Sequence, residues 1–548
     1  MERFIENYTD KTFDIVIIGG GITGASVAYE AASRGLSVAV LEKSDFGSQT
    51  SSATSKMIHG GLRYLSTYDF GLVRESLRER RILTNIAPNI IHPAAFVFAT
   101  YKKDKASNNQ MKLGMILYQL FSFDRNWLWD KSKKMPGFKS LSKEEMILKF
   151  PNALTDGLEG GQMFYDCVSH SPERLTLTFL KSAVKYGANI SNYCEVTEFD
   201  IEKKGDIKIV KGVYVKDKQT NQKKLVKAKL IINCSGPWAD ILLDKVKNVS
   251  VNQELRRSEG IHFITKQKIG NHIYSGATKT GRHFFLIPYR NHTLVGTTDK
   301  EFIGKPDDFK VTKTAIIGLI NEVNESFGNK VKLKYEDVIH AYGGLRPLVE
   351  DQTESSYKSS RKYEITGEKK NGIEGLITVE GGKYTTSRSL AENAIDKAVN
   401  ILGGNSLNSI SKKTPLTGCD MKNYANYVTD KQRQYADFEP EQIEYMVRSY
   451  GTEIDDLLNL NKLLGLSTDP LNTEGELLVQ VVYAIRNEMA LTLKDIVLRR
   501  TTVGHLGNPG RLVLEKMAKV AAQELNWSSD KMALEIAEVD AFLQLPIK

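Results

Sequence analysis

Four cysteines serve all 548 residues, Cys167, Cys194, Cys234 and Cys419, and no two of them form a C-x-x-C pair. That scarcity argues against a disulfide framework and against a cysteine zinc site, so no metal is expected. No stretch reaches the roughly 20 apolar residues that a membrane-spanning helix needs. The opening residues, MERFIENYTDK, lack the apolar core of a signal peptide. Repeats and low-complexity tracts are missing too. The expectation is a protein of a reducing cytoplasm that crosses no membrane. The composition, 41% hydrophobic and 26% charged, suits a substantial core divided among two to four units. A net charge of +9 admits an anionic substrate, an anionic membrane surface or nucleic acid, and does not choose among them.

What is present begins at Phe13. The run FDIVII is a short β-type segment, and Gly19, Gly21 and Gly24 then fit G-x-G-x-x-G. A helix pattern from Ala25 to Arg34 closes at Gly35, and a second β run, Leu36 to Leu41, ends on Glu42. This is the βαβ fingerprint of a dinucleotide site. Gly19 permits the tight turn, Gly21 lets the backbone approach a pyrophosphate, and Gly24 lets helix and strand pack closely. The helix N-terminus offers free N–H groups and a positive dipole end to that pyrophosphate. Glu42 is placed to accept hydrogen bonds from ribose hydroxyls. The loop that follows, Lys43 to Lys56, carries Thr50, Ser51, Ser52, Thr54 and Ser55. It reads either as a solvated loop or as donors for a second phosphate region, as FAD needs; its place after a parallel strand favours the second.

Further along, Phe70 to Leu83 reads as an amphipathic helix whose charges, Arg74 to Arg81, form a solvated face. Met111 to Trp129 is the most apolar and aromatic segment, interrupted by Lys112, Asp124 and Arg125. It reads as a core helix or as a partial insertion into a membrane surface, with Trp127 and Trp129 at headgroup level and Lys131, Lys133 and Lys134 beside anionic lipid. Leu175 to Tyr186 is a helix, and Ala188 to Phe199 a strand. Ile207 to Val215 and Lys224 to Ile232 form a hairpin-like excursion. Gly260 to Thr298 alternates with the period of an antiparallel sheet, and Thr312 to Phe327 is another helix. Leu376 to Val379, the turn Glu380–Lys383 and a helix from Thr385 make a second strand–glycine–helix site receptive to anions. Pro415 to Gly418 reads as a linker. From Glu439 onward the pattern is helical, a separate all-α unit.

The stretches IIGGGITGASVAYEAASRGLSVAVLEKSDF, TSSATSKMIHGGLRYL, NCSGPWAD, LVGTTD, GGLRPL and EGGKYTTSR together resemble FAD-dependent glycerol-3-phosphate dehydrogenases, in the amino-acid-oxidase-like group of flavoproteins. The resemblance runs over nearly the whole chain and reaches YAIRNEMALTLKDIVLRRTTVG near its end. It implies an α/β Rossmann-like FAD-binding domain, an interleaved antiparallel-sheet substrate domain and a C-terminal all-α domain. The expected division is a catalytic region 1–415, with FAD-binding parts 12–66, 170–250 and 340–405 and substrate parts 67–165 and 251–340, followed by a helical domain 420–548. The implied reaction oxidises sn-glycerol 3-phosphate to dihydroxyacetone phosphate. Electrons then pass to a membrane quinone, or to O₂ in some relatives, and the protein lies on the cytoplasmic, inner face of the cell membrane. Nucleic acid is not expected as a partner, and a homodimer is left open.

Matched residue by residue, Arg63 and Tyr64 of HGGLRYL, Arg346 of GGLRPL, Arg361 of SSRKYEI and Lys383 of GGKYTT are the expected substrate residues. A phosphate dianion calls for such a set, because arginine binds it with two parallel charge-assisted bonds. His262, in EGIHFIT, is the expected base, with a suitable pKa near neutrality. The alternative participant is Arg346, which would hold a developing alkoxide. His59 is expected to touch the flavin. Lys56, Val196, Ser235, Gly236, Gly382, Lys383 and Thr385 join the glycines, Glu42, Thr50, Ser51 and Ser52 as cofactor residues. Each arginine taken alone reads as a surface ion-pair partner, and His262 alone as a core histidine; the glycine turns around Arg63 and Arg346 shift the reading toward a ligand. The rivals are an oxidase using O₂ on the same substrate, an amino-acid or amine oxidase of the same fold, and a non-catalytic nucleotide-binding protein. Tyr384 and Ser387 depart from the leucine and tyrosine common in relatives.

Overall fold

The computed structural model describes residues 1–104, 107–246, 255–328, 330–349 and 362–547. Five strands lie parallel, in the order Leu376–Gly381, Lys223–Asn233, Thr12–Ile18, Val38–Leu41 and Asn189–Ser191. Their continuous apolar runs follow from burial on both faces. Ile15, Ile17, Val38 and Val40 face a helical layer, while Val16, Ile18, Ala39 and Leu41 face the excursion of strands Cys194–Lys204 and Ile207–Asp217. The first helix, Ile22–Ser33, packs between helices Pro172–Lys185 and Ser387–Leu402. Its small residues permit the close approach; a Cβ added at Gly24 would lie 1.9 Å from the Gly19 carbonyl oxygen.

A second sheet is largely antiparallel. Arg256–Thr265 pairs with both Val338–Leu348 and His292–Gly296, and the sheet continues through His283–Tyr289, Ile273–Ala277, Ile91–Tyr101 and Leu158–Ser169 to Met57–Ile58. Ile273–Ala277 and Ile91–Tyr101 run parallel. Helix Lys313–Ser326, capped by the Thr312 hydroxyl, covers one face through Ile316, Leu319, Ile320 and Val323. Because Met57–Ile58 leads from the cofactor loop straight into this sheet, residues 59–65 sit at the junction of the two layers.

Several expectations need correction. The Phe70–Ile86 helix does not present all its charges to solvent: Glu79 and Arg80 are buried. Glu79 accepts a bidentate pair from Arg388 at 2.6 and 2.8 Å, and Arg80 pairs with Asp166. These two charges are buried because each meets an opposite charge from a distant segment, which periodicity alone does not report. The strand expected over Ala188–Phe199 breaks in two at Tyr193, which adopts φ 55°. The Pro415–Gly418 stretch is packed rather than a free linker: Leu416 is buried and its N–H donates to Ile86 O at 2.9 Å. A helix at Tyr424–Gln434 precedes those expected from Glu439 onward.

The C-terminal helices build two apolar clusters of their own and dock against the rest of the chain through buried ion pairs. Arg174 of the Pro172–Lys185 helix makes a bidentate pair with buried Glu488 at 2.6 and 2.9 Å, and Lys181 reaches both Glu453 and Glu488.

Candidate active site

The carboxyl ends of the parallel strands open into a cavity of about 2120 Å³. Ile18 and Gly19, Leu41 and Glu42, Cys234 and Ser235, and Val379 and Gly381 line it from four successive strand ends. This is the crevice in which α/β sheets bind ligands. Its volume exceeds the roughly 300–1,000 Å³ of an ordinary small-molecule pocket, as a long dinucleotide together with a substrate requires.

The cradle fits FAD by its own stereochemistry. Gly19 has φ +107°, and a Cβ there would come 2.5 Å from Cys234 O. At Gly21 a Cβ would point toward Ser51 Oγ at 3.1 Å, filling the space a phosphate needs. Gly21 caps the helix without a side-chain bond, and Ser51 Oγ accepts from Ile22 N at 2.9 Å. Glu42 is buried; its two carboxylate oxygens accept from Gly20 N at 2.7 Å and Ser44 N at 2.9 Å. The acid thus braces the glycine turn as well as lining the cavity. Desolvation raises its pKa against those two N–H donors. Thr50, Ser51, Val196, Ser235, Gly236, Gly382 and Thr385 also line the cavity. Thr50 donates to Leu345 O at 2.6 Å, tying the cofactor loop to the strand that carries Arg346. Ser52 and Lys56 stand outside the lining. Ser52 donates to Gln49 O, and Lys56 is buried 3.6 Å from Glu173.

At the far end the turn 59–61 meets the glycine turn 381–383. Gly61 has φ +75°, and its N–H donates to His59 Nδ1 at 3.1 Å. Burial first, and Lys383 second, push the His59 pKa down to about 4, so the imidazole is neutral. Lys383 is held by the Ser76 hydroxyl and lies 4.8 Å from the Tyr64 ring centroid; Arg63 stacks on the same ring at 4.9 Å. Burial lowers the Lys383 pKa as well. The turn itself is fixed from behind: Tyr118 donates to Asp166 Oδ2 at 2.7 Å, Arg80 holds Oδ1, and Gly60 N donates to the same oxygen at 3.4 Å.

His262 and Arg346 come from adjacent antiparallel strands, Arg256–Thr265 and Val338–Leu348. His262 Nε2 lies 2.7 Å from Ser55 Oγ, and its ring stacks on Tyr342 at 5.1 Å. Burial, then Arg346 and Lys56, hold its pKa well below the usual histidine value. Its buried Nδ1 meets no partner among the described residues. Arg346 donates to Thr297 Oγ1 at 2.7 Å and to the Glu259 and Thr298 carbonyls at 3.2 Å. Its guanidinium lies across Gly260, where a Cβ would come within 2.0 Å of it.

The cavity therefore brings Arg63, Tyr64, His262, Arg346 and Lys383 together with the cofactor residues. Arg361 lies outside the described residues. Sequence reasoning missed Ser55 as the partner of His262, and Asp166, Tyr118, Arg80 and Ser76 as supports. None of these carries a local motif; they meet only through pairing between distant strands and helices.

A family model described as FAD dependent oxidoreductase matches residues 14–381, and one described as the C-terminal domain of alpha-glycerophosphate oxidase matches residues 409–532. A glycerol-3-phosphate dehydrogenase of Synechocystis sp. is 30% identical over 549 residues, covering 98% of this chain and 97% of the relative. An aerobic glycerol-3-phosphate dehydrogenase of Staphylococcus aureus is 31% identical over 514 residues, covering 91% of this chain and 88% of the relative. Among solved structures, the glycerol-3-phosphate dehydrogenase from Bacillus halodurans complexed with FAD shares the fold, with a TM-score of 0.78 at 24% identity over 99% of this chain and 97% of that one.

Proposed function

The chain belongs to the FAD-dependent glycerol-3-phosphate dehydrogenase family, and we propose that it oxidises sn-glycerol 3-phosphate to dihydroxyacetone phosphate and delivers the electrons to a quinone at the cytoplasmic face of a membrane. The observation that carries the substrate reading is the meeting of Arg63, Lys383, Arg346 and His262 in one cavity with the dinucleotide cradle. A phosphate dianion suits such a cluster, because charge-assisted bonds contribute roughly 1.5–3 kcal/mol each. An amino-acid substrate needs one carboxylate-binding arginine, fewer cations than the cavity presents.

Bound FAD supplies a two-electron acceptor for the hydride that leaves the substrate carbon. The protein's part is to hold the phosphate with Arg63 and Lys383, to place the secondary hydroxyl near Arg346, and to accept the hydroxyl proton at His262 Nε2. Burial, Arg346 and Lys56 lower the His262 pKa, which favours the neutral imidazole able to take a proton. The same shift makes it a weaker base than the near-neutral histidine expected from the sequence, so more of the step falls to the stabilisation of the developing alkoxide by Arg346. Ser55, whose Oγ lies 2.7 Å from His262 Nε2, fixes the ring. Arg346 stabilises the oxygen as negative charge develops on it.

The quinone and membrane readings rest on the helix Asn108–Phe121 and the segment after it. Leu113, Ile116, Leu117, Leu120, Phe123, Trp127 and Trp129 are 38–63% exposed. Their intervening acid is hidden: Asp124 is buried between Arg74 at 2.8 Å and Arg81 at 3.2 Å. The outer face is thus apolar and aromatic, with exposed Lys112, Lys131 and Lys134 beside it, the pattern of an interfacial anchor. Lys133 does not join them. It is buried, donating to Ile91 O at 2.6 Å, and burial pushes its pKa to about 8. Leu113, Gly114 and Leu117 also line the cavity, so an apolar acceptor has an entrance where the apolar face lies. No helix among the described residues is long and apolar enough to cross a membrane.

Anaerobic addition of sn-glycerol 3-phosphate to the holoenzyme tests the reaction: the oxidised flavin absorbance is expected to bleach within about one turnover. Bleaching by an amino acid instead would overturn the substrate reading. Reoxidation of the bleached enzyme by a soluble quinone analogue, faster than by O₂, is the expected sign of the acceptor. Replacing Trp127 and Trp129 together with serine is expected to reduce sedimentation with anionic liposomes at least several-fold and to leave flavin bleaching in solution unchanged. Undiminished sedimentation would return the segment to an ordinary surface.

A further inference from the structure

Among the described residues the helical C-terminal domain contributes none to the cavity lining, yet it makes a buried, heavily charged contact with the cofactor loop. Asp45, three residues past Glu42, is buried beneath that loop. Arg500 grips it with two parallel bonds, Nη1 to Oδ2 and Nη2 to Oδ1, each 2.7 Å. Arg499 binds Oδ2 as well and continues to Asp495 at 2.6 Å. Arg500 is itself fixed by Glu488 O at 2.8 Å, and Asp495 accepts from Tyr193 at 2.7 Å. All four charged groups are buried. Desolvation works against the charge on Asp45, and the two arginines overcome it, holding its carboxyl well below the usual range.

The grip reaches the pyrophosphate turn through the residues next to Asp45. Phe46 packs directly against Gly20, where a Cβ would lie 2.5 Å from its ring, and Gly47 N donates to Gly20 O at 3.0 Å. Gly20 N is bound in turn by Glu42. The loop then continues through Ser48, Gln49, Thr50 and Ser51, which line the cavity. A path of direct contacts therefore runs from Arg499 and Arg500 to Asp45, to Phe46 and Gly47, and to the dinucleotide turn.

We propose that the C-terminal helical domain acts as a clamp that retains FAD, with Arg500 and Arg499 as positioning residues that hold Asp45 and, through it, the phosphate-binding turn. Without the clamp the loop loses its buried counter-charge, and the turn it braces is free to open. The coupling is reciprocal: whatever the domain adds to FAD binding, FAD returns to the docking of the domain.

The test compares Asp45→Asn and Arg500→Lys with Lys181→Met, which disturbs the same domain interface at Glu453 and Glu488 without touching the loop. Dissociation constants are read by flavin fluorescence on FAD-free protein. The two clamp variants are expected to bind FAD at least tenfold more weakly, and Lys181→Met to stay within about twofold. At saturating FAD the KM for sn-glycerol 3-phosphate is expected to stay within twofold in all three. Equal loss in all three, or no loss in the clamp variants, overturns the proposal. Should a clamp variant fail to fold, hydrogen exchange on the wild-type chain decides the matter: FAD binding is expected to slow exchange across 496–502, remote from the cavity. Unchanged exchange there overturns the proposal.

Discussion

Arg346→Ala is expected to lower kcat/KM for sn-glycerol 3-phosphate by about two orders of magnitude while FAD remains bound. Arg346 is the cation with the largest influence on the expected base; the two stand on paired strands, with His262 opposite Tyr342 and Ser258 opposite Arg346. Losing one charge-assisted contact removes roughly 1.5–3 kcal/mol, and each 1.36 kcal/mol is tenfold in rate. The substitution leaves the dinucleotide cradle intact, because Arg346 touches Thr297, Thr298 and Glu259 rather than the glycine turn. A second signature separates this role from a structural one. Arg346 is the largest contributor after burial to the low pKa of His262. Removing a positive neighbour raises that pKa, so the acid limb of the kcat/KM profile should move to higher pH. Gly260→Ala, which intrudes on the guanidinium, is expected to reproduce part of the loss with Arg346 still present. Stopped-flow bleaching of the flavin, run across pH, measures both; unchanged reduction kinetics in Arg346→Ala would remove Arg346 from the site.

The cofactor half of this site was legible in the sequence because its geometry is local. The tight turn at Gly19, the helix behind it and the acid at the next strand end lie within about thirty residues, and each demands a particular residue type. Part of the antiparallel sheet, the strands between Gly260 and Thr298, was legible from period-two alternation, while Ile91–Tyr101, Leu158–Ser169 and Val338–Leu348 were not. The supports of the site were not. Asp166, Tyr118 and Arg80 converge on the turn at Gly60 from two helices and a strand. The same charged helix, Phe70–Ile86, looked like a solvated face because a buried ion pair and an exposed one have the same letters on one side. Asp45 and Arg500 show this more sharply: they stand 455 residues apart and meet as a buried pair. The fold decides which charges are neutralised, through contacts that no window of sequence contains. The helix at Tyr424–Gln434 escaped notice for a different reason, since most of its residues are polar and only Tyr424, Val428 and Lys431 are buried.

Lys383→Met is expected to cost about a hundredfold in kcat/KM at neutral pH and to remove the alkaline limb of the wild-type profile. Lys383 is buried beside Tyr64 and Ser76, and desolvation is the largest influence on it, lowering its pKa from the ordinary lysine value near 10.4. The sign follows directly. Below the lowered pKa the ammonium is present to hold the phosphate, and as pH rises through it the charge and the affinity fade together. Wild-type KM should therefore climb at a lower pH than an exposed lysine would allow, and the methionine variant should show no such rise. Stability should move the other way. A lysine whose folded pKa lies below its unfolded one binds fewer protons in the folded state as pH rises between the two, so stability grows with pH across that window. At neutral pH the charged, desolvated form carries the full penalty, and methionine removes it. The melting temperature of FAD-free Lys383→Met is thus expected to exceed that of the wild-type protein. His59 supplies an internal check, because Lys383 is the largest influence after burial on its pKa of about 4; in the variant that pKa should rise. A variant that loses activity, melts lower and leaves the alkaline limb in place would show that Lys383 braces the fold and does not bind the substrate.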